Sequence, residues 1–238
     1  MDNATYTTLT RQSGLMREMQ VVAHNIANIS TTGFRKEGVV FSEYIHRFDG
    51  QEPSLSMATP NGRHINGTQG ALSQTGGTFD LAIEGPGYFL VQTPQGERLT
   101  RAGHFTPNAE GQLVTPDGHA LLDDGGAPIF VPPDARQVAV GSDGTLSANG
   151  LAFGQVGLYQ PVDPLNLQRE VGTLFTSDAG VEPAEGAAVL QGYLEDSNVD
   201  AIAEVARMIQ VQRAYELGQS FTDREDERIR SVLRTLGK

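Results

Sequence analysis

The 238-residue chain contains no cysteine and no tryptophan. The lack of cysteine excludes disulfides and thiolate metal sites, and leaves nothing to mispair in an oxidising compartment. Aromatic residues make up only 7% of the chain against 28 glycines, which points to many turns and a modest core. Positive charge is scarce: 17 Lys and Arg face 29 Asp and Glu, for a net charge of −12. With no Lys/Arg cluster to offset it, nucleic acid and anionic membrane are poor partners. Long hydrophobic runs are also missing. No stretch reads as a transmembrane helix, and residues 1–15 alternate polar with single apolar residues instead of forming the apolar core of a secretory signal. The expectation is a protein that stays in the cytosol or leaves by a route needing no cleaved signal.

Signatures of chemistry are equally sparse. None of His24, His46, His64, His104 and His119 stands at metal-ligand spacing from another. No serine sits in a nucleophile elbow, and no carboxylate pair flanks an obvious cleft. Gly85-Pro86-Gly87 lacks the further glycine and the helix that a phosphate loop needs, so it reads as a tight turn. Asp123-Asp124 runs straight into Gly125-Gly126, a pattern that suits a solvated turn better than a cation site. The chain is expected to be no enzyme and to hold no cofactor or metal.

What is present lies first at the two ends. Residues 1–29 carry Leu9, Met16 and Ala23 at intervals of seven, with Met19 and Ile26 on the companion position, which is a coiled-coil-like seam. Residues 199–236 carry Ile202, Val205, Met208, Ile209 and Tyr215 at helical spacing, then Ile229, Leu233 and Leu236. Asp200 near the start, and Arg230 and Arg234 near the end, suit the helix dipole. A continuous helix there would span about 57 Å at 1.5 Å per residue, with Gly218 and residues 222–225 as places where it would break or fray. Each stripe alone also fits the core face of a globular helix. Two of them at opposite ends of one chain favour packing with neighbours.

Between the ends the pattern changes. Asn25 and Asn28 share a face at the end of the first helix: Asn28 is a candidate left-handed cap, and Asn25 in an apolar seam is a candidate register residue. Two solvated helix-end asparagines are the plain alternative. Gly33 and Phe34 suggest a turn and an anchoring aromatic. Residues 41–78, rich in Gly, Ser, Thr, Asn and Gln, read as an extended or partly ordered connector. Residues 80–160 hold short apolar runs between turn signals at Gly85-Pro86-Gly87, Glu110-Gly111 and Asp117-Gly118. The clearest hairpin has Val138 and Val140 alternating before Asp143-Gly144, and Leu146 and Ala148 after it. Such a series argues an antiparallel β domain.

The expected fold class is therefore α+β: long N- and C-terminal helices packed as a coiled-coil-like pair, with a central antiparallel β domain. The expected division is a discontinuous helical domain (1–36 and 193–238), an extended connector (37–79) and a β-rich domain (80–192).

Five motifs then carry a family resemblance. HNIANISTTGFRK at residues 24–36 resembles the N-terminal signature of bacterial flagellar rod and hook proteins. DLAIEGPGYFLV, LTRAGHFTPNAEGQLVTPDGHALL and VAVGSDGTLSANG resemble that family's β-domain motifs in the same order. LEDSNVDAIAEVARMIQVQRAYELGQS resembles its C-terminal helix signature. The short middle and the tail DREDERIRSVLRTLG resemble most the proximal-rod branch, ahead of the distal-rod and hook branches. His24, Gly218 and Ser220 depart from the family pattern.

The resemblance implies a structural subunit exported unfolded through the flagellar type III apparatus without a cleaved signal. It would polymerise with itself and with other proximal- and distal-rod proteins into the axial shaft crossing the periplasm. No nucleic acid, small-molecule substrate or membrane insertion is expected. The residues expected at subunit interfaces are Leu9, Met16, Met19, Ala23, Asn25, Ile26, Asn28, Ile202, Val205, Ile209, Gln212, Arg213 and Tyr215. The rival readings are a secreted β-rich hydrolase or binding module, and an acidic cytosolic scaffold.

Overall fold

The computed structural model describes the backbone at residues 2–46 and 55–236, and side chains at 8–40 and 62–236. Two long helices bracket the chain: α1, Asp2–Ala27, and α2, Ala201–Leu236. Every named strand lies between them, and each strand pairing with a described register is antiparallel. The fold is α+β.

The chain divides into two compact units. One, helical, comprises Met1–Ala27, Glu37–His64 and Asp200–Lys238; the other, β-rich, comprises Asn28–Lys36 and Ile65–Val199. The stretch expected as a connector carries the two-stranded sheet of Glu37–His46 and Leu55–Ile65, and the short strand Leu72–Gln74. Residues 47–54 of that stretch lie outside the described residues.

In the helical unit, α2 is continuous through Gly218 and residues 222–225. Its 36 residues span about 54 Å at the usual rise. Asp200 opens it as an N-cap: its Oδ1 accepts from the Ile202 and Ala203 amides at 2.9 and 3.0 Å, satisfying two donors that the first turn leaves free. At the end of α1, Asn28 is not left-handed; Asn149 is the one described non-glycine residue with positive φ. Asn28 instead opens a turn, its carbonyl accepting from the Thr31 amide at 3.2 Å. The left-handed residue is Gly33, φ 68°, five positions further on. A Cβ there would run into the Arg101–Ala102 peptide, so both the conformation and the close approach demand glycine.

The β-rich unit is organised around the strand Tyr88–Thr93. Phe89 and Val91 face one core cluster with Leu81, Ile83, Phe105, Leu113, Leu121, Leu146 and Val189; Tyr88 and Leu90 face a second with Leu99, Leu122, Leu167 and Phe175. Burial on both faces is why this stretch reads as an unbroken apolar run instead of an alternating one. Gly96–Thr100 and Leu158–Pro161 flank part of it, and Ala120–Leu121 pairs with its far end, within a nine-stranded sheet. The hairpin expected around Asp143-Gly144 forms with Val138 opposite Ala148 and Val140 opposite Leu146, and Gly144 takes φ 83° at the turn. Gly85 and Gly87 take φ 99° and 107° on either side of Pro86, as a tight turn requires. Asp123 closes its own turn, Oδ1 accepting from the Gly125 and Ala127 amides.

Candidate assembly interface

Within the helical unit, α1 and α2 run antiparallel. Asn25 hydrogen-bonds Glu204 at 3.0 Å, Arg207 donates to Glu18 at 2.6 Å, and Gln12 donates to Gln219 at 3.4 Å, so the partners diverge in number along the two helices. On α2 the residues turned inward are Glu204, Met208, Val211, Tyr215, Gly218 and Thr222, all buried or half-buried. They recur in steps of four and three. At 100° per residue, Ile202, Ile209 and Arg213 fall on the opposite side of the helix and Val205 and Gln212 on its flank, and all five are exposed, Ile202 to 83%. Leu217, Phe221 and Leu233 extend the exposed apolar set toward the C-terminal end. Only Glu204 and Val211 of α2 are buried.

The thirteen expected interface residues thus separate. Leu9, Met16, Ala23, Ile202, Val205, Ile209, Gln212 and Arg213 are exposed, and Met19, Ile26, Asn28 and Tyr215 half-buried. Asn25 is different: at 1% exposure its side chain is spent inside the unit. Its Nδ2 donates to the Glu37 carbonyl at 2.8 Å as well as to Glu204, and its Oδ1 accepts from the Glu37 amide at 3.0 Å. It ties the end of α1 to the strand Glu37–His46 and to the first turn of α2. Among the described residues, two apolar lines, Leu9–Met16–Ala23 on α1 and Ile202–Val205–Ile209 on α2, remain exposed. A run of large apolar side chains on a helix face is an interaction surface when it is not a core.

The sequence reading passed over a second set of residues, inside the β-rich unit. Arg35 and Glu195 are each 1% exposed and Arg101 3%. Glu195 bridges both guanidinium groups: Arg35 Nη2 lies 2.9 Å from Oε1 and Arg101 Nη1 2.9 Å from Oε2. The Gly70 amide also donates to Oε1. Arg101 donates further to the Ile83 and Gly85 carbonyls and stands 5.3 Å from the Tyr88 ring centroid. Burial pulls the Arg101 pKa below the ordinary arginine value, against the opposing pull of Glu195, and burial pushes the Tyr88 hydroxyl up. Arg169 stacks over Phe34 and Phe175, at 4.2 and 4.7 Å. The signal was available: in a chain this poor in cations, Arg35, Arg101 and Glu195 each lie within a different one of the quoted motifs.

No group of three His, Cys, Asp or Glu side chains suited to a metal ion occurs among the described residues. Among them, too, no helix is long and apolar enough to cross a membrane.

Residues 6–35 match the family model described as flagella basal body rod protein, residues 82–148 the flagellar hook protein FlgE/F/G D1 domain, and residues 190–235 the flagellar basal body rod FlgEFG protein C-terminal region. The chain is 41% identical to the flagellar basal-body rod protein FlgF of Caulobacter vibrioides, across all of this chain and 99% of that one. It is 35% identical to FlgF of Mesorhizobium japonicum over the same shares, and 32% identical to the rod protein FlgG of Bacillus subtilis over 96% of this chain and 97% of that one. The chain belongs to the flagellar basal-body rod protein family and is FlgF-like.

Proposed function

We propose that this protein is a proximal-rod subunit that polymerises, with its own copies and with other rod proteins, into the axial shaft that transmits torque across the periplasm. The observation that carries the reading is the pair of uncovered apolar lines on α1 and α2. An α2 that buries two side chains in its own chain gains little from standing alone, because helices draw most of their stability from a packed face. Neighbouring copies that cover Ile202, Val205 and Ile209 supply that face, and Gln212 and Arg213 sit at its edge. The four-and-three spacing of the inward residues of α2 favours coiled-coil-like packing of the terminal helices. Leu9, Met16, Ala23, Met19, Ile26, Asn28 and Tyr215 complete the interface, with Asn25 acting from behind it by holding the two helices in register.

In this reading the terminal segments 1–36 and 193–238 serve as the helical, axial domain, 37–79 as the connector, and 80–192 as the outer β domain. Head-to-tail contacts that do not close generate a helical filament. The subunit is structural and not catalytic, and reaches the rod through the type III apparatus without a cleaved signal. Tracing the chain in a cryo-EM map of intact basal bodies tests the reading. The expected result is this chain in the rod with α1 and α2 against neighbouring subunits. A chain absent from basal bodies, or present with Ile202, Val205 and Ile209 solvated, overturns it.

A further inference from the structure

The Asn28–Lys36 segment has no helix or strand of its own, yet Gly33, Phe34 and Arg35 are buried. Arg169 stacks on Phe34 and donates to the Arg35 carbonyl, and the Asn66 amide donates to the Lys36 carbonyl, but much of what holds the segment comes from the far end of the chain. The Gly33 amide donates to the Glu195 carbonyl at 2.7 Å, the Lys36 amide to Asn198 Oδ1 at 2.6 Å, and the Asn198 amide to the Phe34 carbonyl at 3.3 Å. Arg35 meets the Glu195 carboxylate, with Arg101 on that carboxylate's other oxygen. Two buried cations thus share one anion.

We propose that Glu195 is a closure residue: the Asn28–Lys36 segment locks onto the β-rich unit only when residues 193–199 have supplied their carboxylate, so the N-terminal motif stays open until the C-terminal end is in place. The charges decide the order. Without Glu195, two guanidinium groups would be buried together with no counterion, which is strongly unfavourable. One of them has to leave. Arg101 is fixed by the Ile83 and Gly85 carbonyls and adjoins the strand Gly96–Thr100. Arg35 also donates to a carbonyl, that of Thr68, but both Arg35 and Thr68 sit on segments with no ladder to hold them, so Arg35 is the one released. Phe34, next in sequence, loses its seat with it.

A chain that emerges from its N-terminus, as any chain does during synthesis, therefore cannot close this motif early. On the rod reading above, on which this consequence alone rests, that keeps the N-terminal motif of an incomplete subunit unlocked before it joins the growing shaft.

Hydrogen–deuterium exchange on the full chain tests the coupling, with Glu195→Gln, Arg35→Met and the double variant. In Glu195→Gln, amides of residues 31–36 are expected to lose about a hundredfold or more of their protection, while those of Tyr88–Thr93 keep theirs. Arg35→Met removes the surplus cation, so the double variant should regain about tenfold protection at 31–36 over Glu195→Gln alone. Wild-type protection of 31–36 in Glu195→Gln overturns the proposal. So does equal opening of 31–36 and Tyr88–Thr93, or a double variant with no recovery. Should Glu195→Gln fail to fold, a double variant that folds with 31–36 protected supports the proposal, and one that also fails to fold contradicts it. These exchange patterns do not depend on the rod assignment, so the two readings fail separately.

Discussion

The β-rich unit and the helical unit handle apolar surface and charge in different ways. The first closes Phe89, Leu113, Leu121, Leu122, Leu146 and Phe175 to within 0% exposure. It carries 16 acidic and 6 basic residues, a net charge of −10. Of those cations, Arg35 and Arg101 are buried on Glu195, Arg98 is paired with Glu170, and Arg169 is stacked between two rings. Its surface is therefore strongly acidic and its core finished. The second unit carries 13 acidic and 11 basic residues, net −2, and leaves Leu9, Met16, Ile202, Val205 and Ile209 exposed. A nearly neutral unit with apolar helix faces can approach its own copies without the self-repulsion that −10 imposes. On the proposed reading, association belongs to the helical unit.

Substitutions that strike one region and spare the other sharpen the comparison. The largest effect is expected from Phe89→Ala. Phe89 is fully buried and packs edge-to-face on Phe105, ring centroids 5.4 Å apart. Its loss should cost the β-rich unit about 3–5 kcal/mol, read in denaturant unfolding followed by exchange at Tyr88–Thr93. Protection of the α1 amides that survives the loss of the β core would confirm two separate stabilities; joint collapse would erase the distinction.

Next comes Asn25→Leu, which removes the buried hydrogen bonds that Asn25 makes to the Glu37 amide and carbonyl and to Glu204. Each buried group left without its partner costs about 1–3 kcal/mol. The helical unit should loosen while Tyr88–Thr93 stays protected, and Asn28→Leu should do much less because Asn28 is half-buried at a turn. Equal effects of the two substitutions would show that Asn25 is no more than a helix-end residue.

The smallest is Asp143→Asn. The Thr145 amide, and then its hydroxyl, hold the Asp143 carboxyl below the usual carboxylate range. A folded-state pKa below the unfolded one gives stability that is present above the unfolded value and lost as pH falls through the folded one. Asp143→Asn should flatten that acid-side slope slightly at the Val138–Ala148 hairpin, because the group is exposed and its interaction screened. An unchanged slope would mean that the turn's backbone alone holds the hairpin.

How much of this was legible from residues alone follows from how local each feature is. The Asp143-Gly144 hairpin and the Gly85-Pro86-Gly87 turn depend on positive φ at glycine, a signal contained in two or three residues. The helices were legible from their spacing. The inward face of α2 was legible only in part: Met208 and Tyr215 belong to it, but Glu204, Gly218 and Thr222 are polar or small, so an apolar-stripe reading merged those two with the exposed Ile202, Val205 and Ile209. Asn28 has two readings on residues alone, a left-handed cap or a solvated helix-end asparagine; in the structure it opens the turn to Thr31, and the positive φ falls at Gly33. The Arg35–Glu195–Arg101 cluster joins residues up to 160 positions apart; no periodicity links them, and a charged residue reads as solvated until its partner is known.

The central claim is that the Ile202–Val205–Ile209 face belongs to the assembly and not to the chain's own core. Ile209→Asp tests it most directly, scored by the amount of the variant in purified basal bodies together with the β-sheet circular dichroism of the free protein. A carboxylate buried without a partner costs several kcal/mol, but only where neighbours close over it. The account predicts a variant that is made and exported, keeps its β-sheet signal, and is missing from the rod. A variant that loses its β-sheet signal as a free chain, or that enters the rod at the wild-type level, contradicts it.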